Sequence, residues 1–352
     1  MRIKLSKQEL EKTHQLLDTK EINMSIADLL FSFFEDSDSF KGCKSADAFF
    51  NKLVELSGAS DEEIPLLDKW IKPAISPLKV DFFAKNPYYQ LVKPNAVKDN
   101  NYALEYATFK AYQPFSLNDI VVDENDYFLE RSPISYFLED VPYLALSYKG
   151  TVWMSITPNE INTMEPYIKE ASGDVLVLGL GLGYYPFMVS LKDNVKNIVI
   201  VELDNKIIDL FKKNLLPLFP NKDKITIIQG DAIEYLKKNK RHFDYVFADL
   251  WHNPIDGLPM YIKLMNIAKN IQNTNFQYWL EESLIALYRR CLLTVYEETL
   301  NDFSDKDYQK AENDIDKIIN SIYFKTKNIT INSYNDIYQL LLDENIKQLI
   351  KS

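Results

Sequence analysis

Between residues 174 and 250 the chain alternates short, continuously apolar runs with amphipathic ones. The apolar runs are DVLVLG, NIVIVE, ITIIQG and FDYVFAD, rich in β-branched residues and closed by glycine or an acid. Runs of this kind suit strands buried on both faces, so the pattern predicts a parallel sheet covered by the intervening helices. The first 75 residues instead carry helical periodicity. ADAFFNKLVEL (46–56) spaces its apolar residues as a helix does, Ser25, Ser45 and Ser60 stand where N-caps are expected, and Gly58 marks a stop. Pro73, Pro77, Pro87 and Pro94 then break an aromatic-rich connection running from Asp81 to Tyr112. From about Tyr127 the pattern turns to strands, YFLERS, YLALSYKG and TVWMSIT, and Gly150 between the last two predicts a hairpin. TPNEI (157–161) reads as a helix start, with Thr157 as N-cap, Pro158 first and Glu160 third; that helix ends near Gly173. After about Asn273 the periodicity is helical again, in YWLEESLIALYRRCLLTVYEE, KAENDIDKIINSIYF and YNDIYQLLLDENIKQLI.

These elements predict an α/β fold: a Rossmann-like, doubly wound, mostly parallel sheet with an N-terminal helical region plus β-hairpin and a C-terminal helical extension. The corresponding units are 1–115 (helical and aromatic-rich), 116–157 (hairpin), 158–272 (nucleotide-binding) and 273–352 (helical extension). Composition changes this picture little. The 352 residues are 46% hydrophobic and 26% charged, as in an ordinary soluble protein. No apolar run reaches about 18 residues, and MRIKLSKQELEKTHQ is too polar for a signal sequence, so a cytoplasmic protein without membrane contact is expected. Cys43 and Cys291 lie in unrelated surroundings, and no His, Asp or Glu cluster has metal spacing, so no metal is expected. The net charge of −11 repels a phosphate backbone and makes a nucleic-acid partner unexpected. The basic LKKNKRH (236–242) reads as a solvated helix end. Arg289 and Arg290 likewise read as a solvated face, and the apolar stripes of the C-terminal helices fit either an acceptor pocket or a homodimer surface.

The chemistry concentrates in DVLVLGLGLGYYPF (174–187). The chain has nine glycines, and Gly179, Gly181 and Gly183 alternate here between a strand and a helix. Such a turn presents backbone N–H groups and a positive helix end to a ligand. Glu202 closes the next strand, 19 residues after Gly183, where an acid accepts both hydroxyls of a ribose. A dinucleotide site would want glycine at position 184, which is Tyr184. Asp231 and Asp249 stand at the next two strand ends, where ligands of open α/β sheets bind.

Taken together, VLVLGLGLG, VELD, GDA and FDYVFAD resemble the successive motifs of the class I S-adenosylmethionine-dependent methyltransferase superfamily. The resemblance implies S-adenosylmethionine as cofactor. Gly179, Gly181 and Gly183 would pass the methionyl and ribose part, Glu202 would hold the ribose hydroxyls, Asp231 with Ala232 would meet the adenine, and Asp249 would stand beside the sulfonium. The hairpin approach YLALSYKGTVWMSITPNEINTMEPYI and the loop DLWHNPIDGLPMYIKLM are similar to spermidine synthases over roughly 127–268. Three departures stand out: Leu182 occupies the position of an acid between the last two glycines, VWM around Trp153 replaces a glutamine, and His252 falls on a second aspartate. A diamine needs carboxylates to compensate its desolvation. The expected reaction is therefore methyl transfer to a small-molecule acceptor, with Asp249 and His252 as catalytic candidates. Aminopropyl transfer from decarboxylated S-adenosylmethionine and a non-catalytic nucleotide-binding module are the alternatives.

Overall fold

The structure, a computed structural model, describes residues 1–34, 36–99 and 101–352. Its centre is a sheet of five parallel strands, β1 (Gly173–Leu178), β2 (Val195–Glu202), β3 (Ile225–Gln229), β4 (Tyr245–Ala248) and β5 (Asn275–Tyr278). Their order across the sheet is β3-β2-β1-β4-β5. Helices Pro158–Glu170, Tyr184–Ser190, Asn205–Asn214, Ala232–Lys238 and Pro254–Ala268 are interleaved with the strands. Val175 to Leu178 and Ile198 to Val201 are buried throughout, the consequence of a strand covered on both faces. The chain winds outward from β1 to β3, then returns to build β4 and β5 on the other side. The strand order therefore reverses at β1, and the crevice beyond its carboxyl end is the place where such sheets bind ligands.

The fifth strand corrects the helical reading that began with YWLEE. NFQY is a four-residue edge strand, followed by a turn in which Leu280 takes φ +55 before helix Glu281–Leu300 begins. Its buried polar residue, Gln277, donates to Glu170 at 3.0 Å, so the strand carries no clean apolar run for a sequence pattern to report. The N-terminal reading changes too. Lys7–Phe33 is one helix capped by Ser6, with Ser25 inside it. Ser45 does cap Ala46–Ser57, and Gly58 ends that helix at φ +67. Ser60 caps nothing; it donates to Glu63 ahead of Ile64–Trp70.

The aromatic-rich connection is partly a sheet. Val97–Asp99 pairs with Tyr102–Phe109, which pairs with Val141–Tyr148 of the hairpin Val141–Tyr148/Thr151–Ser155, in one antiparallel sheet. The predicted hairpin turn is present, with Lys149 and Gly150 both at positive φ as a two-residue turn of that hand requires. The turn aims Thr151–Ser155 at the mouth of the crevice.

The two ends of the chain interlock. Arg2–Ile3 pairs with Thr330–Ile331, and helix Lys7–Phe33 packs on Glu281–Leu300 and Tyr334–Leu341. Arg289, read from sequence as solvated, is 2% exposed and bonds the Leu341 carbonyl and the Asp343 carboxylate. Arg290 pairs with the enclosed Glu130 at 3.4 Å. Both arginines thus tie the terminal helices to the body, because a buried guanidinium must have partners. The basic stretch after Ala232 is partly paired: Lys237 and Lys238 share Glu234, and Arg241 pairs with Asp174. Among the described residues, no helix is long and apolar enough to cross a membrane.

Candidate active site

A cavity of about 720 Å3 opens at the carboxyl ends of β1, β2 and β4, roofed by hairpin residues 152–156. This is the size range of pockets that enclose a small ligand. The three glycines stand in its wall for different reasons. A Cβ on Gly179 would collide with the carbonyl oxygen of Asp249, and one on Gly183 with the rings of Phe211 and Phe219, so these two serve protein packing. A Cβ on Gly181 would meet nothing within 4 Å; this is the glycine that leaves the wall open. Leu182 is buried, and its carbonyl accepts the Tyr88 hydroxyl at 2.7 Å.

Glu202, at the end of β2, is gripped by the backbone. Its Oε2 accepts the Leu180 N–H at 3.0 Å and its Oε1 the Asp204 N–H at 2.8 Å. Each oxygen keeps lone-pair capacity for a further donor, which is what two vicinal hydroxyls need. Asp204, not anticipated from sequence, caps helix Asn205–Asn214 and accepts the Tyr102 hydroxyl at 3.0 Å. Asp231 caps helix Ala232–Lys238 through the Glu234 N–H at 2.9 Å, using Oδ1 alone. Ala232 beside it is buried in the wall. All these residues border the same cavity.

Asp249 differs. Its backbone continues the β1–β4 pairing through the Leu178 carbonyl, yet its carboxylate has no hydrogen-bond or ion-pair partner among the described residues. Burial, and secondarily the charge of Glu202, push it up to about 7. Glu160, whose place three residues after Thr157 reads in sequence as part of a helix start, lines the same cavity. It closes a capping box there, accepting the Thr157 N–H at 3.0 Å, and the Ser155 hydroxyl lies at 3.5 Å. Burial raises Glu160 to about 8 against those two hydrogen bonds, with the Asp249 charge adding to the rise. The signal available in sequence was an acid in the first turn of a helix whose start approaches the strand ends; local capping accounted for it and hid its second role.

His252 lies at the mouth, its side chain 60% exposed. The Trp153 indole N–H donates to His252 Nε2 at 2.8 Å, and Nδ1 lies 3.1 Å from Asp256 Oδ2. An indole can only donate, so Nε2 carries the lone pair and Nδ1 the proton. The lone pair a base would use is therefore occupied by Trp153. Of the two sequence candidates for catalysis, Asp249 lies in the wall with a free carboxylate, and His252 bridges hairpin and loop. Tyr88, Tyr89, Tyr102, Tyr106 and Tyr112 border none of the cavity, whereas Tyr184 and Tyr185 do, the latter stacked on Phe247. From the C-terminal extension, 273–352, only Trp279 among the described residues reaches the cavity, held by its N–H on Thr163 at 2.9 Å.

The electrostatic balance is one-sided. Five carboxylates, Glu160, Glu202, Asp204, Asp231 and Asp249, border the cavity, and no lysine or arginine does among the described residues. No three His, Cys, Asp or Glu side chains among those residues group as metal ligands would. The arrangement therefore suits an organic cation with hydroxyls at one end.

Comparison with known proteins bears on this geometry. Residues 160–260 match the spermine/spermidine synthase domain. Among solved structures, the chain is similar to spermidine synthase from Thermotoga maritima, at 17% identity over 43% of this chain and 58% of that one, TM-score 0.30. A spermidine synthase in complex with the transition-state analogue AdoDATO is similar at 17% identity over 43% and 60%, TM-score 0.32. The CcbJ methyltransferase from Streptomyces caelestis is similar at 22% identity over 32% and 48%, TM-score 0.26. The chain thus spans less than two thirds of each of these structures, and no curated protein matches it in sequence. Residues 160–260 are thus similar to the spermine/spermidine synthase domain, and they hold the first four strands of the parallel sheet with the acids at their ends.

Proposed function

We propose that the protein is a transferase that takes an alkyl group from a sulfonium nucleoside, with decarboxylated S-adenosylmethionine as donor and an amine as acceptor. The observation that carries this reading is the cavity bordered by five carboxylates and by no lysine or arginine among the described residues. Decarboxylated S-adenosylmethionine carries two positive charges and no carboxylate. S-adenosylmethionine adds a carboxylate, whose burial among acids without a cation is costly. The side chains present fit the nucleoside. Glu202 has acceptor capacity for the ribose, Asp231 Oδ2 has no partner among the described residues, and Gly181 leaves the wall open. The donor would supply an electrophilic carbon on positive sulfur. The chain's own part is to hold the reactants in line, exclude water and accept a proton from the acceptor, for which Asp249 is the assigned group.

Methyl transfer from S-adenosylmethionine is the second reading. It is favoured by Leu182, an apolar buried side chain in the cavity wall between Gly181 and Gly183. Titration calorimetry with both donors separates the two. The expected result is at least ~10-fold tighter binding of the decarboxylated form, about 1.4 kcal/mol. Tighter binding of S-adenosylmethionine overturns the proposal in favour of methyl transfer.

A further inference from the structure

The polar groups of the cavity are unevenly spread. Glu160 and Asp249 both line it, the second with an unpartnered carboxylate among the described residues. The mouth is different. Val152 there is 44% exposed, and Trp153 spends its only donor on His252. Asp256, on the loop beside His252, does not border the cavity and is already engaged by the N–H groups of His252 and Asn253 and by the imidazole. Asp204, which does border it, is engaged by the Lys206 N–H and by the hydroxyl of Tyr102, whose ring packs on Trp153. A positive charge placed at the mouth would find these carboxylates already bonded; an apolar or aromatic group would find an indole and a valine. Trp153 and Ser155, the neighbour of Glu160, lie on the same hairpin strand, whose register shifts in a bulge between Val152 and Met154.

We propose that the acceptor is a monoamine with an apolar or aromatic body, its nitrogen held by Glu160 and Asp249 and its body lying at the Trp153–His252 mouth. This rests on the reading of the cavity as a site for a sulfonium nucleoside. In the transfer the amine lone pair forms a bond to the carbon attached to sulfur. The carbon–sulfur bond breaks with its electron pair going to sulfur, leaving a neutral thioether nucleoside, and a proton from nitrogen passes to the carboxylate pair. Glu160 and Asp249 are thus both assigned as catalytic residues, and Trp153 and His252 set the selectivity.

The test offers 2-phenylethylamine and putrescine separately to the full chain with decarboxylated S-adenosylmethionine, following release of 5′-methylthioadenosine. Calorimetry with 5′-methylthioadenosine alone runs in parallel. The expected kcat/KM for phenylethylamine exceeds that for putrescine by at least ~10-fold, because a second ammonium at the mouth finds carboxylates that are already bonded. His252→Asp, which adds a carboxylate there, should shift that ratio toward putrescine by a similar factor. Glu160→Gln should lower kcat with phenylethylamine while leaving nucleoside binding within about threefold. If the nucleoside does not bind, the donor-site reading fails and takes this proposal with it. If it binds but putrescine is preferred, or neither amine releases product, or His252→Asp leaves the ratio unchanged, this proposal is overturned and the donor-site reading stands.

Discussion

The cavity has two halves that treat their acids in opposite ways. On the side of β2 and β3, Glu202, Asp204 and Asp231 are each fixed by backbone N–H groups of the loops and helices that follow their strands. On the side of β4 and the hairpin, Asp249 has no partner among the described residues, and Glu160 has only its cap and a long contact to Ser155. The first half is preorganised: its carboxylates are oriented by those N–H groups before anything binds. The second half holds two raised carboxyl groups whose ionisation lacks a counter-charge. In physical terms, one half recognises hydroxyls through fixed acceptors, and the other is completed by a cation.

The largest effect on this contrast is expected from Glu202→Ala. It removes both ribose acceptors and the anchor of the Leu180 and Asp204 N–H groups, and should weaken 5′-methylthioadenosine binding by roughly 100- to 1000-fold in calorimetry. Retained affinity would remove the distinction between the halves. Next comes Asp249→Asn, expected to cut turnover about 10- to 100-fold while changing nucleoside affinity by less than about fivefold. Equal losses in both quantities would instead place Asp249 with the nucleoside half.

The pH dependence sharpens the same point. Glu160 and Asp249 bind protons up to about 8 and about 7 in the folded state, against ordinary values of 4.5 and 3.8. Between these limits the native state holds more protons than the unfolded one, so stability without ligand falls as pH rises from 4 to 8. Glu160→Gln should flatten that slope in thermal unfolding. Affinity for the dicationic donor should rise over the same upper range, with protons released on binding below pH 8. A pH-independent affinity would mean that these carboxyls do not meet the cation. The smallest effect is expected from Trp153→Phe, which breaks the bond to His252 and should raise acceptor KM only about two- to fivefold with nucleoside binding unchanged.

Much of the nucleoside half could be read along the chain. Its parts are single segments, strand then turn then helix, and each acid closes an apolar run, so position in the pattern and position in space coincide. The acids beyond that pattern were harder. Glu160 obeyed a local capping rule completely, and a residue with one sufficient explanation gives no sequence sign of a second. His252 has the residue type of a base, but Trp153, 99 residues away, occupies its lone pair. Arg289 and Arg290 sit on a helix that looks amphipathic in isolation; only the partners Asp343 and Glu130, far along the chain, make them interior.

The parallel sheet, its burial and the helix starts at Ser45 and Thr157 were therefore determined by sequence alone, because hydrophobic period and capping act over a few residues. Even the glycine turn was legible, though not its division of labour: two glycines yield to neighbouring protein and one to open space. The fifth strand, the pairing of the chain ends and the placing of Glu160 and Asp249 in one cavity wall were decided by tertiary structure. The physical reason is common to all three. Desolvation and charge depend on what surrounds a group in space, and for Glu160 those surroundings come from a hairpin, a helix start and a strand end that the chain visits at different times.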